Sequence, residues 1–442
     1  MAAWGGEGRQ PARAMAAAGA PALPGEACGR GAVWRPTEGG AAGAAGAQPE
    51  GEGLLCGRWA PGGALLAVGL RGGASRGLKP PAAAGGAAAG GAAAAGETDG
   101  AGASSAPAVS WGGALQARSL RAPAAEGGEQ GPDPEAAPHF HAYPEVVNAA
   151  HGSEAPAPTS ALSFRPLPMA QGTKNLYLAG STSGELQLVH ATTGKVMWSG
   201  REEGNKVYAV EFQPEAGRFA TGGDDAAVRV YDANEMREER VFSRADGFGS
   251  IGHSDPIYSI KWHSSSPHIL FSAGWDQTVQ MWDVRKKNPR ASVFGAYVCG
   301  DALDVTSDGL LLTGSWRSQR SLQLWDIRRE GPVKDYSFQQ EGEGPAMLYA
   351  ARALPGGHVF AAGSSGSEPS VRFFNRHSGE LLAHYATDAS VHALDIDCGP
   401  GRPARALVVD AESVHVFTLP ASVANQIEAS GGLGEAARPP LT

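Results

Sequence analysis

The sequence predicts an all-β chain of repeated units, with segments at its start and within it that build no core. From about Thr159, short runs rich in Val, Leu, Tyr, Phe and Trp alternate with Gly, Asp, Ser and Pro turns. Turns about every ten residues are the pattern of many short antiparallel strands. A repeat is the second observation. VQMWDV (Val279 to Val284) recurs as LQLWDI (Leu322 to Ile327) and VRVYDA (Val228 to Ala233). Weaker copies are VRFFNR (Val371 to Arg376), LQLVHA (Leu186 to Ala191) and VHVFTL (Val414 to Leu419). Successive copies lie 42, 51, 43, 49 and 43 residues apart. Each of the first five follows or adjoins a hydrophobic pair with a Gly turn, as in FATGGDD and LFSAGWDQ, and strands such as YAVEF and YSIKW precede.

Composition separates the repeats from the rest. Of 442 residues, 63 are Gly and 31 are Pro, about 21% together, where ordinary usage is about 12%. The excess gathers in residues 1–50 and 72–108, as in PPAAAGGAAAGGAAAAG from Pro80 to Gly96. Such tracts bury too little apolar area to offset ordering, so a disordered tail and a disordered insertion are expected. Glu7, Glu26 and frequent Pro and Gly in the first stretch argue against organelle targeting. No run of 18 apolar residues exists, so no membrane helix and no membrane partner are expected. A net charge of −9 disfavours a nucleic-acid partner, which needs basic surface. Cys28, Cys56, Cys299 and Cys398 have no zinc-ligand spacing and no disulfide framework. They suit a reducing interior, the cytoplasm with the nucleus left open.

The units can be placed in order. LLCGRWAPGGALLAVGLRGG (Leu54 to Gly73) reads as a first strand, a turn and a second strand. Its third and fourth strands are expected near Ala108 to Trp111 and Tyr143 to Asn148. Six full copies follow from His151 to Leu419, and residues 420–442 are expected to be a C-terminal tail. Seven units is the count favoured, with six and eight open.

The segment GHSDPIYSIKWHSSSPHILFSAGWDQTVQMWDVR (Gly252 to Arg285) resembles the WD-repeat β-propeller family, which has four strands per blade and Gly-His and Trp-Asp signatures. The resemblance covers about residues 52–419. It implies a closed β-propeller, most simply of seven four-stranded blades. It also implies that the last blade borrows its outer strand from the N-terminus, where ACGRGAVWRP (27–36) is the candidate. The family's structural tetrad maps onto His253, Ser272, Asp276 and Trp282, and the preceding copy keeps Thr221, Asp225 and Tyr231.

A hydrolase triad of His253, Ser272 and Asp276 fails on context, since the Ser lies within a strand and not on an exposed elbow. GASRG (Gly73 to Gly77) matches a nucleophile motif inside a Gly-rich tract where such matches are cheap. GFGSIG (Gly247 to Gly252) leads into a strand and offers no helix N-terminus to a pyrophosphate. No catalysis, cofactor or metal is expected.

Function is therefore sought on the surface. Tyr208, Tyr258, Asp301, Tyr349, His392 and Ser160 align at the start of the inner strands and are expected to ring the channel mouth. Asp224, Trp275, Trp316 and Arg317 are expected on the same face, with Arg317 suited to a carboxylate or phosphate. On the opposite face, WDVR (Trp282 to Arg285) and WDIR (Trp325 to Arg328) are similar to the boxes by which substrate receptors of cullin–RING ubiquitin ligases dock on their adaptor. The expected function is a non-enzymatic scaffold binding protein segments within a larger complex. The alternative is a ligase substrate receptor docking through Arg285 and Arg328.

Overall fold

The computed structural model describes residues 26–27, 32–34, 54–61, 63–70, 74–79, 141–147, 157–166, 175–244, 252–329, 331–339, 343–399 and 402–429. Two short strands, β1 (Glu26–Ala27) and β2 (Ala32–Trp34), precede seven sheets. The first comprises β3 (Leu54–Trp59), β4 (Leu66–Leu70), β5 (Ala74–Lys79) and β6 (His141–Val147). The second comprises β7 (Thr159–Phe164), β8 (Leu176–Ser181), β9 (Glu185–His190) and β10 (Lys195–Arg201). The third comprises β11 (Val207–Phe212), β12 (Arg218–Gly223), β13 (Val228–Asp232) and β14 (Arg237–Phe242). The fourth comprises β15 (Ile257–Trp262), β16 (Ile269–Gly274), β17 (Thr278–Asp283) and β18 (Ala291–Phe294). The fifth comprises β19 (Leu303–Val305), β20 (Leu311–Gly314), β21 (Leu322–Trp325) and β22 (Pro332–Tyr336). The sixth comprises β23 (Met347–Ala353), β24 (Val359–Ser365), β25 (Ser370–Asn375) and β26 (Leu381–Ala386). The seventh comprises β27 (Val391–Asp397), β28 (Arg405–Asp410) and β29 (Val414–Thr418), joined by β2.

The first strands of successive sheets touch one another, and β27 touches β3, so the ring closes. The chain is a seven-bladed β-propeller, as the sequence predicts. Burial across a blade explains the sequence texture. β16 (ILFSAG) is buried along its whole length because neighbouring blades cover both of its faces. β14 (REERVF) faces solvent at the rim and is charged. Between the fourth, fifth and sixth blades, Phe271, Val279, Leu311, Leu324, Trp325 and Phe360 share one core, sheet packed on sheet.

All pairings within the fourth blade are antiparallel, so β15 and β17 run in the same direction. The starts of inner strands and the second turn of each blade therefore share one end of the channel, here the entry face. The first and third turns share the other end, the exit face.

The N-terminal strands tie two blades. β2 pairs antiparallel with β29, with Val33 opposite His415, and β1 pairs parallel with the outer strand β26. Deletion of residues 1–36 should expose the β29 edge. A lower melting temperature and self-association on size exclusion are the expected outcome.

Two expectations are corrected. The third strand of the first blade is β5, six residues within the stretch expected to be a disordered insertion, and not Ala108 to Trp111, which lies outside the described residues. Its composition hides it: Ser75 and Leu78 are fully buried, but they alternate with Ala74, Arg76, Gly77 and Lys79, and Leu78 is the one large apolar residue. Ser75, the serine of the GASRG motif, shares a 3.0 Å hydrogen bond with the Tyr177 hydroxyl, so it is a packing residue. Residues 421–429, expected within a tail, form helix α1 (Ala421–Ala429), which buries Val423 and Ile427 against the sixth and seventh blades. The expected disorder in 1–25 and 80–108, and residues 247–251 of GFGSIG, lie outside the described residues.

Candidate partner-binding face

In six blades the first pairing of the inner strand carries the same irregularity. The register shifts across Leu55, Ser160, Tyr208, Tyr258, Tyr349 and His392. A bulge leaves one residue unpaired and re-aims its side chain. Five of these residues are the ones that the sequence places at the channel mouth. Their functions differ. Ser160 is engaged, its hydroxyl donating to the carbonyls of Gly180 and Val207. Tyr349 and His392 form an edge-to-face pair with centroids 5.9 Å apart.

Tyr208 and Tyr258 stack at 4.8 Å with planes 6° apart, and an aromatic arc continues from them. Tyr258 meets Trp275 at 5.4 Å, Trp275 meets Tyr297 at 6.4 Å, and Tyr297 meets Trp316 at 6.4 Å. Trp275 is 44% and Trp316 38% exposed, large values for indoles on a folded surface. The Trp275 indole N–H points to the Cys299 sulfur at 2.9 Å, which fixes the ring. Burial pushes the Cys299 thiol up to about 12, so it is no nucleophile at neutral pH. Asp224 flanks the arc, near the Tyr208 hydroxyl and paired with Lys206 at 3.3 Å.

Two expected members of the face differ from expectation. Asp301 does not ring the mouth. In the fifth blade the chain bulges before the strand begins, with Ala302 N–H bonded to Gly300 O, and β19 starts only at Leu303. Asp301 therefore drops into the channel, and Tyr297, which the sequence alignment missed, takes the place at the mouth. Arg317 does not present its charge either. Its guanidinium donates to Gly295 O, to Gln323 at 3.0 Å and to Ser315 at 3.3 Å. It braces the turn that carries Trp316.

Deeper in the channel lies a charged ring. Arg58, Ser163, Glu211, Lys261, Asp304, Arg352 and Asp395 each precede the last apolar residue of an inner strand or lie beside it, one per blade. Asp301 is their hub, ion-paired with Arg58 and Arg352, with Lys261 at 3.2 Å, and accepting from Ser259 at 2.9 Å. Lys261 also pairs with Glu211 at 3.2 Å. These bonds join the first, third, fourth, fifth and sixth blades. Three more bonds run between neighbouring blades: Phe212 N–H to Ser163, Ala353 N–H to Asp304 and Trp59 N–H to Asp395. The last joins the first blade to the seventh. A cavity of about 420 Å³ opens beside this ring toward the exit face.

The charges respond to burial in opposite ways. Burial raises Asp301, but Arg58 and Lys261 outweigh it and hold the carboxyl below the usual range. Asp304 has less compensation, and burial pushes it up to about 6. The folded chain then binds this proton more tightly than the unfolded chain, so Asp304 removes stability as pH rises from about 4 to 6. Asp304→Asn should gain on the order of 2 kcal/mol relative to wild type between pH 4 and pH 8. Urea unfolding at both pH values checks it, and a pH-independent difference would contradict it.

The tetrad residues come together in the fourth blade. His253 Nδ1 lies 2.7 Å from Asp276 and its Nε2 2.6 Å from Ser272, to which Trp282 donates at 2.7 Å. His253 and Ser272 are buried, as a structural network requires. In the third blade Glu202 stands where the His would be, accepting from Tyr231 at 2.8 Å and from Thr221. In the seventh, His415 lies 2.7 Å from both Asp410 and Ser413 and 3.1 Å from Tyr385. Neither substitute set was visible in the sequence motif.

The family model for the WD domain, G-beta repeat, matches residues 195–232 and 248–283, which take in the outer strand of the second blade and the three inner strands of the third and of the fourth. This is a WD-repeat protein. Curated relatives include the guanine nucleotide-binding protein subunit beta of Zea mays, 26% identical over 49% of this chain and 56% of the relative. Another is the cell division cycle 20.1 protein of Arabidopsis thaliana, cofactor of APC complex, 23% identical over 44% of this chain and 40% of the relative. WD repeat-containing protein 1 of Bos taurus is 36% identical over 19% of this chain and 13% of its own. The WD-repeat chain thus spans about half the length, or less, of these relatives.

On the exit face of the WD-repeat ring, the two Trp-Asp-x-Arg boxes have one geometry. Arg285 grips Asp283 with two bonds of 2.9 Å, and Arg328 grips Asp326 with two of 2.9 Å. The arginine bond holds each carboxyl below its usual range. Their side chains remain 61% and 78% exposed. Both guanidinium forks are thus partly occupied within the chain and partly presented to solvent.

Proposed function

We propose that the protein is a non-enzymatic scaffold that holds protein segments on its entry face and assembles them into a larger complex. The observation that carries this reading is the aromatic arc from Tyr208 to Trp316, set on a closed ring. Rigid aromatic anchors lose little entropy on binding and dominate interface energetics. The channel chemistry supports the absence of catalysis. Ser163 is engaged with Phe212 N–H, and burial pushes the Cys398 thiol beside the cavity up to about 12. The proposed setting is the cytoplasm or nucleus; no described helix is long and apolar enough to cross a membrane.

Affinity capture with mass spectrometry tests the proposal. Tyr258→Ala/Trp275→Ala should lose partners that wild type and Arg285→Ala/Arg328→Ala retain. The ligase-receptor reading stands second, supported by the matching exposed geometry of Arg285 and Arg328. Loss of a cullin adaptor from the arginine variant alone would put it first.

A further inference from the structure

We infer that the entry-face arc takes a basic peptide segment, seating an arginine or lysine side chain against Tyr258, Trp275 and Tyr297, with the carboxylates of Asp224 and Asp255 beside the rings. The inference rests on the scaffold reading and names the chemistry of its partner. Elsewhere this chain supplies cations to its own rings. Lys334 lies over Tyr336 at 5.1 Å, Arg372 over Phe338 at 4.9 Å and Arg405 over Trp59 at 4.6 Å. Among the described residues, no such contact covers a ring of the arc, although these rings include the exposed indoles Trp275 and Trp316. Arg317, next to Trp316 in the chain, turns its guanidinium onto Gly295 O and Gln323.

Negative charge flanks the rings. Asp255 is exposed and accepts from its neighbour Ser254 at 2.9 Å. Asp224 pairs with Lys206, but both are exposed, and such a pair exchanges easily. The rings feel these carboxylates. Burial first and then Asp224 raise the Tyr208 hydroxyl to about 12, and burial, Cys299 and Asp255 raise Tyr297. Aromatic faces with adjacent carboxylates attract a cation through the ring quadrupole and through charge. A single-stranded nucleic acid could also stack on such rings, but its phosphates would meet Asp224 and Asp255.

The test titrates the full chain by calorimetry with synthetic peptides of about eight residues, carrying two central Arg, Lys, Gln or Glu in one Gly/Ser background, and with oligo-dT. Arg or Lys peptides should bind about 10-fold or more tighter than the Gln peptide, and weaken as salt rises from ~50 to ~300 mM. Trp275→Gln, a surface change whose fold is checked by thermal melting, should weaken them about 10-fold, and Asp255→Asn about 3-fold. Arg285→Ala/Arg328→Ala should bind as wild type. Equal or tighter binding of Gln peptide, Glu peptide or oligo-dT overturns the inference, as does Arg and Lys binding indifferent to Trp275→Gln. If protein capture depends on Trp275 while basic peptides show no preference, this inference falls and the scaffold reading stands. If capture is also indifferent to the arc, both fall.

Discussion

Asp301→Ala is expected to destabilise the protein by about 3–5 kcal/mol, because it leaves buried cations without their shared anion. Lys261 and Arg352 are 7% and 6% exposed, and Arg58 sits beside them with a 13% exposed side chain. Glu211 can compensate Lys261 at 3.2 Å, but Arg58 only at 3.7 Å. Arg352 then keeps carbonyl partners, Ala351 O at 2.9 Å and Asp301 O at 3.1 Å. The hub joins blades distant in sequence, with Arg58 and Asp301 separated by 243 positions. Its loss should therefore loosen ring closure as well as stability. Urea unfolding measures the first, and limited proteolysis between blades the second. Lys261→Met on the Asp301→Ala background should recover part of the loss, since it removes one stranded charge. A loss below about 1 kcal/mol would show that water, not Asp301, satisfies these cations.

His253→Ala should cost about 3 kcal/mol or more, by removing the shared partner of Ser272 and Asp276 and opening a void beside Trp282. Trp282→Phe keeps most of the ring packing and removes the donor to Ser272 with part of the indole, so about 1–3 kcal/mol is expected. pH separates the charged part. Bonds from His253 and Thr278 outweigh burial and hold the Asp276 carboxyl below its usual range. A lowered carboxyl contributes stability that is fully present above about pH 4 and is lost as pH falls through the folded value. The gap between wild type and His253→Ala should thus narrow in acid. A gap that widens would contradict the ion-bonded reading of Asp276.

The repeat was legible because period and turn chemistry are local. Trp282, Trp325 and Tyr231 recur at a blade-length spacing, and the second strand LFSAG announces burial on both faces. The stacked Tyr208 and Tyr258 could be aligned for the same reason. Asp301 could not. A bulge of a few residues before β19 shifts it from mouth to channel, and no sequence pattern marks a bulge in a Gly-containing loop. The charged ring assembles from residues dispersed over the whole chain, so its pairings are invisible to periodicity. One signal was available. The polar residue near the end of every inner strand, Arg58 through Asp395, could have been aligned as the collar was. Glu202 escaped notice because the motif asks for His, although a carboxylate accepts from the same Thr and Tyr hydroxyls. β5 and α1 were missed because each shows only one or two large apolar residues, Leu78 in the strand and Val423 and Ile427 in the helix.

The scaffold account stands most directly on the arc as an energetic centre of binding. The decisive measurement is the dissociation constant of the first captured partner, by titration calorimetry, for wild type and Trp275→Ala. An exposed aromatic anchor at an interface centre should contribute at least about 2 kcal/mol, or roughly 30-fold in Kd. A weakening of that size, with unchanged melting temperature, is the predicted result. An unchanged Kd would contradict the account and move the binding surface off the entry face.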